Sequence, residues 1–160
     1  MAHRINAEQL LVSKENLMGK YSDIIDGYLR IESIDVLKSI GEIDRLNEFS
    51  VYCGCSSINN KWIKRTETTG ISLITTGMTY SFDWEKMYDQ LADDQTALNS
   101  TESFLNNFTD NRQIYTSNPG NPWENDGPLT LLTNGMKDFG ITVVDEFKIG
   151  LIVFFDNSCC

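Results

Sequence analysis

Histidine is all but missing from this sequence: His3 is the only one in 160 residues, and it stands in a polar N-terminal stretch. Ser-His-Asp and Cys-His catalysis and His-rich metal sites each need an imidazole held beside its partners, so those classes fall away unless the terminus reaches the site. Long apolar runs are missing too. The longest, residues 151–155, is far below the ~20 residues of a membrane helix. His3 and Arg4 lead into polar residues without the apolar centre of an export signal. No membrane association is expected, and the expected location is the cytoplasm or a viral particle assembled there. No phosphate-binding P-loop, dinucleotide fingerprint, EF-hand loop, nucleophile elbow or metalloprotease helix occurs, so no cofactor is expected. Cysteine is confined to two tight clusters, Cys53 with Cys55 and Cys159 with Cys160. A disulfide scaffold would spread its cysteines to staple distant segments, so reduced thiols are expected. Neither cluster has the C-x₂-C spacing that brings two thiolates onto one zinc ion.

Basic charge is also in deficit. Thirteen Lys and Arg stand against 23 Asp and Glu, a net charge of -10, and the excess is local. Residues 83–110 hold Asp83, Glu85, Asp89, Asp93, Asp94, Glu102 and Asp110 against Lys86 alone, whereas Lys61, Lys64 and Arg65 form a short basic run before them. Such a chain is repelled by phosphate backbones and anionic lipid. A protein partner, or copies of the chain itself, is expected, with no direct nucleic-acid contact.

What is present is the composition of a globular domain, 41% apolar with eleven glycines and three prolines. Asn6 and Gln9 form a capping box before Leu10, Leu17, Tyr21, Ile24, Tyr28 and Ile31, which predicts an amphipathic helix interrupted at Gly19 and Gly27. Ser33 caps a second helix with Val36, Leu37, Ile40, Ile43 and Leu46 on one face. Phe49, Val51, Cys53 and Cys55 then alternate, as do Ile74, Thr76, Met78, Tyr80 and Phe82, which predicts strands with Gly70 and Gly77 at turns or bulges. Lys61, Ile63 and Arg65 alternate with Trp62 and Lys64 and suit an edge strand.

Helical spacing returns after Asp83 with Trp84, Met87, Tyr88, Leu91 and Leu98, and Asn99 with Glu102 offers a further cap before Phe104, Leu105 and Phe108. Residues 109–127 read as a long structured loop, punctuated by Pro119, Gly120, Pro122 and Gly127. Over residues 128–139 a helix with Pro128 in its first turn and Gly140 as its stop is favoured over a hairpin turning at Asn134 and Gly135. Residues 141–147 and 151–155 form an antiparallel pair, the latter apolar on both faces and therefore covered. The expectation is one α+β domain spanning residues 1–160: an N-terminal helical layer, an antiparallel sheet, central acidic helices and a C-terminal strand pair.

Two places stand out for contact with a partner. Glu85, Asp89 and Asp93 are spaced by four, which on a helix places them on one ridge beside Asp94. In the long loop, Asn121 and Trp123 sit among turn residues, either as a contact surface or as a segment pinned to its own domain by a buried indole. The functional expectation is a non-catalytic protein-binding or assembly component, such as part of a viral or phage particle. The alternatives are an acidic inhibitor or immunity protein that covers a basic toxin or nuclease, and a small enzyme working without histidine.

Overall fold

Five strands carry the structure: β1 (Gly27–Ser33), β2 (Ile63–Arg65), β3 (Gln113–Thr116), β4 (Asp138–Val144) and β5 (Lys148–Phe155). They form one antiparallel sheet in the order β1-β5-β4-β3-β2. Three α-helices pack on it among the described residues: α1 (Glu42–Tyr52), α2 (Glu67–Thr79) and α3 (Asp94–Leu105). The result is an α+β fold, as the sequence predicts. The computed structural model describes residues 27–82, 89–124, 128–133 and 137–155. The predicted helical positions from Leu10 to Ile24, the Asp83 cap, Glu85 and the Cys159-Cys160 pair lie outside them. No helix among the described residues is long and apolar enough to cross a membrane.

The apolar run near the C-terminus is β5, and it lies inside the sheet between β1 and β4. Because side chains alternate along a strand, Ile152 and Phe154 face one layer, with Leu29, Ile114, Phe139, Ile141 and Val143, under α2 and α3. Ile149, Leu151 and Val153 face the other, with Tyr28 and Tyr115, under α1 and the segment bearing Cys53, Cys55, Ile58 and Trp62. Both faces of β5 are therefore buried. The predicted terminal pair forms with Ile141 opposite Ile152, but the chain reverses at residues 145–147 rather than 148–150.

Helix α1 crosses the strands. Glu42 at its start lies 4.0 Å from Lys64 of β2, and Tyr52 at its end meets Arg30 of β1, whose guanidinium carbon is 4.8 Å from the ring centroid. Those strands are opposite edges of the sheet. Four strand gaps of about 4.8 Å separate them, close to the roughly 16 Å length of an eleven-residue helix.

Several elements differ from the sequence prediction, each for a local reason. Tyr28 and Ile31 lie in β1, opposite Val153 and Gly150, not in a helix; Leu29 and Ile31 alternate with Tyr28 and Arg30, and β5 gains a hydrogen-bonded neighbour on that side. Ser33 does cap, accepting from the Asp35 N–H at 3.2 Å, but only a 3-10 turn, Ile34–Val36, follows. The Glu48 carboxylate accepts the Lys38 and Ser39 N–H groups, which holds the connector extended until Gly41, and Ile40 is left outside. Residues 49–55 are the end of α1 and a turn, not a strand, because Leu46, Phe49 and Cys53 are also spaced by three and four. Gly54 makes that turn at φ 89°, where a side chain would be strained.

Residues 74–79 belong to α2, not to a strand. Thr66 caps the helix by accepting the Thr69 N–H, and the hydroxyls of Thr75, Thr76 and Thr79 donate to carbonyls four residues back. Gly70 and Gly77 are interior to it: a Cβ on Gly70 would come within 2.6 Å of Ile114, and one on Gly77 would enter the Phe154 ring. Burial against the sheet thus outweighs the modest helix propensity of glycine and the β-branched residues. Asn99 and Glu102 do not start a helix; they are interior to α3, whose buried Ala97, Ser100, Thr101 and Phe104 run straight through them. The predicted loop 109–127 contains β3, where Ile114 and Tyr115 face opposite layers. The helix predicted over residues 128–139 is absent from the described part, because Asp138 accepts the Leu132 and Thr133 N–H groups and opens β4, which takes in Phe139 and Gly140.

Candidate partner-binding surface

The acidic residues singled out in the sequence do not share one helical ridge. Asp89 is exposed, but its backbone pairs across Tyr80: its carbonyl accepts the Ser81 N–H at 3.0 Å and Gln90 bridges Tyr80, so it lies in extended chain. Asp93 is the N-cap of α3, its carboxylate accepting the Thr96 N–H at 2.7 Å. That backbone hydrogen bond pulls its pKa below the ordinary carboxylate value. Asp94 is exposed in the first turn, where a carboxylate complements the helix dipole.

The loop candidates are tied to the core. Trp123 is 6% exposed, its ring edge-on to Phe82, Phe139 and Phe154 with centroids 5.1, 5.9 and 5.4 Å away, and its Nε1–H donates to the Ser81 carbonyl at 3.3 Å. Of the two readings of this loop, the structure has the pinned one. Asn121 is half-buried and its Oδ1 accepts the Trp123 N–H at 2.9 Å, which sets the turn that delivers the indole. Arg65 holds the same loop from β2, donating to the carbonyls of Asn118 and Gly120 at 2.9 Å each and to Thr116 Oγ1 at 2.8 Å. Burial lowers the pKa of its guanidinium. Of the basic run, Ile63–Arg65 form the edge strand, with Arg65 turned onto the loop and Lys64 toward Glu42, whereas Lys61 ends a 3-10 turn before it.

Groups of catalytic type on the inner faces are sealed off. Cys53 and Cys55 are free thiols, 1% and 2% exposed, and burial pushes the Cys53 thiol up to about 12 and raises Cys55 as well. The thiolate is the nucleophile and the metal ligand, so these two serve as small apolar core residues. Among the described residues no group of three or more His, Cys, Asp or Glu could hold a metal ion. Asp138 is fully buried; burial raises its pKa against the hydrogen bonds from the Leu132 and Thr133 N–H groups and the Thr133 hydroxyl. It works as a backbone clamp.

The exposed surface carries a different constellation. Val144 and Gln113, paired across β4 and β3, floor an open cleft of about 350 Å³. Glu42 and Arg45 on the first turns of α1, and Glu146 in the β4-β5 turn, wall it. Ile40, 89% exposed, stands on its rim, and Phe147, 58% exposed, follows Glu146 in the turn. Asp145 makes this rim rigid. Its Oδ1 accepts the Phe147 and Lys148 N–H groups at 2.8 and 2.7 Å, and its Oδ2 accepts the Thr109 N–H at 2.7 Å. Although burial raises its pKa, those three donors prevail and hold the carboxyl below its ordinary value. Ile34 adds a hydrogen bond from its N–H to the Phe147 carbonyl at 2.8 Å.

The sequence places Ile40 in a core face and passes over Glu42, Glu146 and Phe147. The signal for Phe147 was an aromatic residue beside two carboxylates at the reversal between two apolar strands. Ile40 had none, because its exposure follows from where Glu48 halts the preceding turn. No protein-family model matches the chain, and comparison with curated proteins and with solved structures likewise finds no match.

Proposed function

We propose that this chain is a non-catalytic protein-binding component of a larger assembly, and that it binds through the surface around Ile40 and Phe147. The observation that supports the reading is the pairing of two strongly exposed apolar side chains with a turn rigidified by Asp145. Large apolar groups gain about 25 cal/mol per Å² on leaving water, and a pre-ordered surface loses little entropy when it is covered. Scattered exposed apolar residues are ordinary; here Ile40 lines the cleft, and Phe147 directly follows the cleft residue Glu146 in the turn that Asp145 fixes. The test is light scattering on the full chain during size-exclusion chromatography, alone and after incubation with extract from its native source. The expected result is a stoichiometric complex that the double variant I40D/F147D fails to form while keeping its circular dichroism spectrum. A strictly monomeric chain that captures nothing, or a complex indifferent to I40D/F147D, overturns the reading.

A further inference from the structure

From the charge around this cleft we infer that its occupant is a segment of a partner protein that carries Lys or Arg next to an apolar side chain. The inference rests on the protein-binding reading above and adds the chemistry of the partner. The cleft presents Glu42, Asp145 and Glu146 against Arg45 alone. Arg45 donates its Nε–H to the Ser39 carbonyl at 3.0 Å and keeps its charge, so the lining carries three carboxylates against one guanidinium, a net charge of -2. Asp145 spends its oxygens on backbone N–H groups, so it contributes field rather than contact. Glu42 and Glu146 are exposed; the ion pair of Glu42 with Lys64 is long, at 4.0 Å between two side chains more than half exposed, and is therefore weak.

A cation entering the cleft thus meets two exposed carboxylates, while its apolar neighbour covers Ile40. The net charge of -10 acts in the same direction at longer range. It disfavours an acidic partner and a second copy of this chain, and it speeds the approach of a basic one. An apolar residue flanked by cations satisfies both halves of the site.

The experiment measures fluorescence anisotropy of labelled hexapeptides on the full chain at two salt concentrations. The three probes alternate lysine with leucine, lysine with serine, and glutamate with leucine. The lysine-leucine peptide is expected to bind best, more weakly at high salt. E42K/E146K and I40D should each reduce its affinity about tenfold, whereas E102K/E124K, which makes the same change of net charge at exposed sites elsewhere, should reduce it less than about threefold. Equal affinity for the lysine-serine peptide, or equal loss in E102K/E124K, reduces the effect to overall charge and overturns the inference. So does preference for the glutamate-leucine peptide. If any of these occurs while I40D/F147D still abolishes complex formation in the light-scattering experiment, the assembly surface stands and only the partner chemistry is wrong.

Discussion

Asp145 shows how a single carboxylate shapes the candidate surface. It joins Thr109, Phe147 and Lys148 through their N–H groups, so the turn that displays Phe147 has one geometry. Its pKa is lower in the folded chain than its ordinary value. A carboxyl of that kind contributes stability that is present above its unfolded pKa of about 3.9 and is lost as pH falls through the folded value. Asn at this position keeps one acceptor oxygen and loses the other. D145N should therefore cost about 1–3 kcal/mol at pH 7, measured by urea denaturation, and the gap to the parent should close below about pH 4. A gap that stays constant across that range would show that Asp145 is not charged in the fold. Asp93 is the second carboxylate with a defined task. Removing an N-cap side chain destabilises its helix, so D93A should lower the urea midpoint and D93S should restore most of it. Loss of partner binding in D93A but not in D93S would trace to the helix end rather than to the charge.

At the scale of elements, what was legible depended on whether two periodicities could be told apart. The β4-β5 pair was legible because residues 151–155 admit no polar face and a short turn precedes them. The edge strand β2 was legible from alternating Lys and Ile. Helix α2 was not, since Ile74 and Met78 are four apart, a spacing in phase with both a strand and a helix. Phe49 and Cys53 stand in the same relation, and the same error followed at α1. What decides these cases lies elsewhere in the sequence: Thr66 as a cap, and glycines that fit only where α2 meets the sheet. G77A tests that contact. Alanine favours a helix over glycine by about 1 kcal/mol, but here its methyl would enter the Phe154 ring, and overpacking of this kind costs roughly 1–3 kcal/mol. The expected outcome is net destabilisation in thermal unfolding. A rise in Tm would mean that α2 does not press on β5.

Among the described residues, the buried thiols and carboxylate of catalytic type are segregated from the exposed apolar groups. The free thiols and Asp138 lie against the inner faces of the sheet, and Trp123 fixes its loop into the core. At the start of α1 and in the β4-β5 turn, strongly exposed apolar side chains stand next to exposed carboxylates in the chain. Of the residues the sequence singled out, Asp89 and Asp94 are exposed, while Asp93, Asn121 and Trp123 serve the fold. The sequence conveyed the acidity, but the position of the proposed surface depends on how a connector and a turn are folded back. Hydrogen exchange, comparing the assembled complex with the isolated chain, tests that position most directly. Binding through the Ile40 and Phe147 surface predicts added protection at residues 37–42 and 145–148. Protection confined to residues 89–110, with those two segments unchanged, would contradict it.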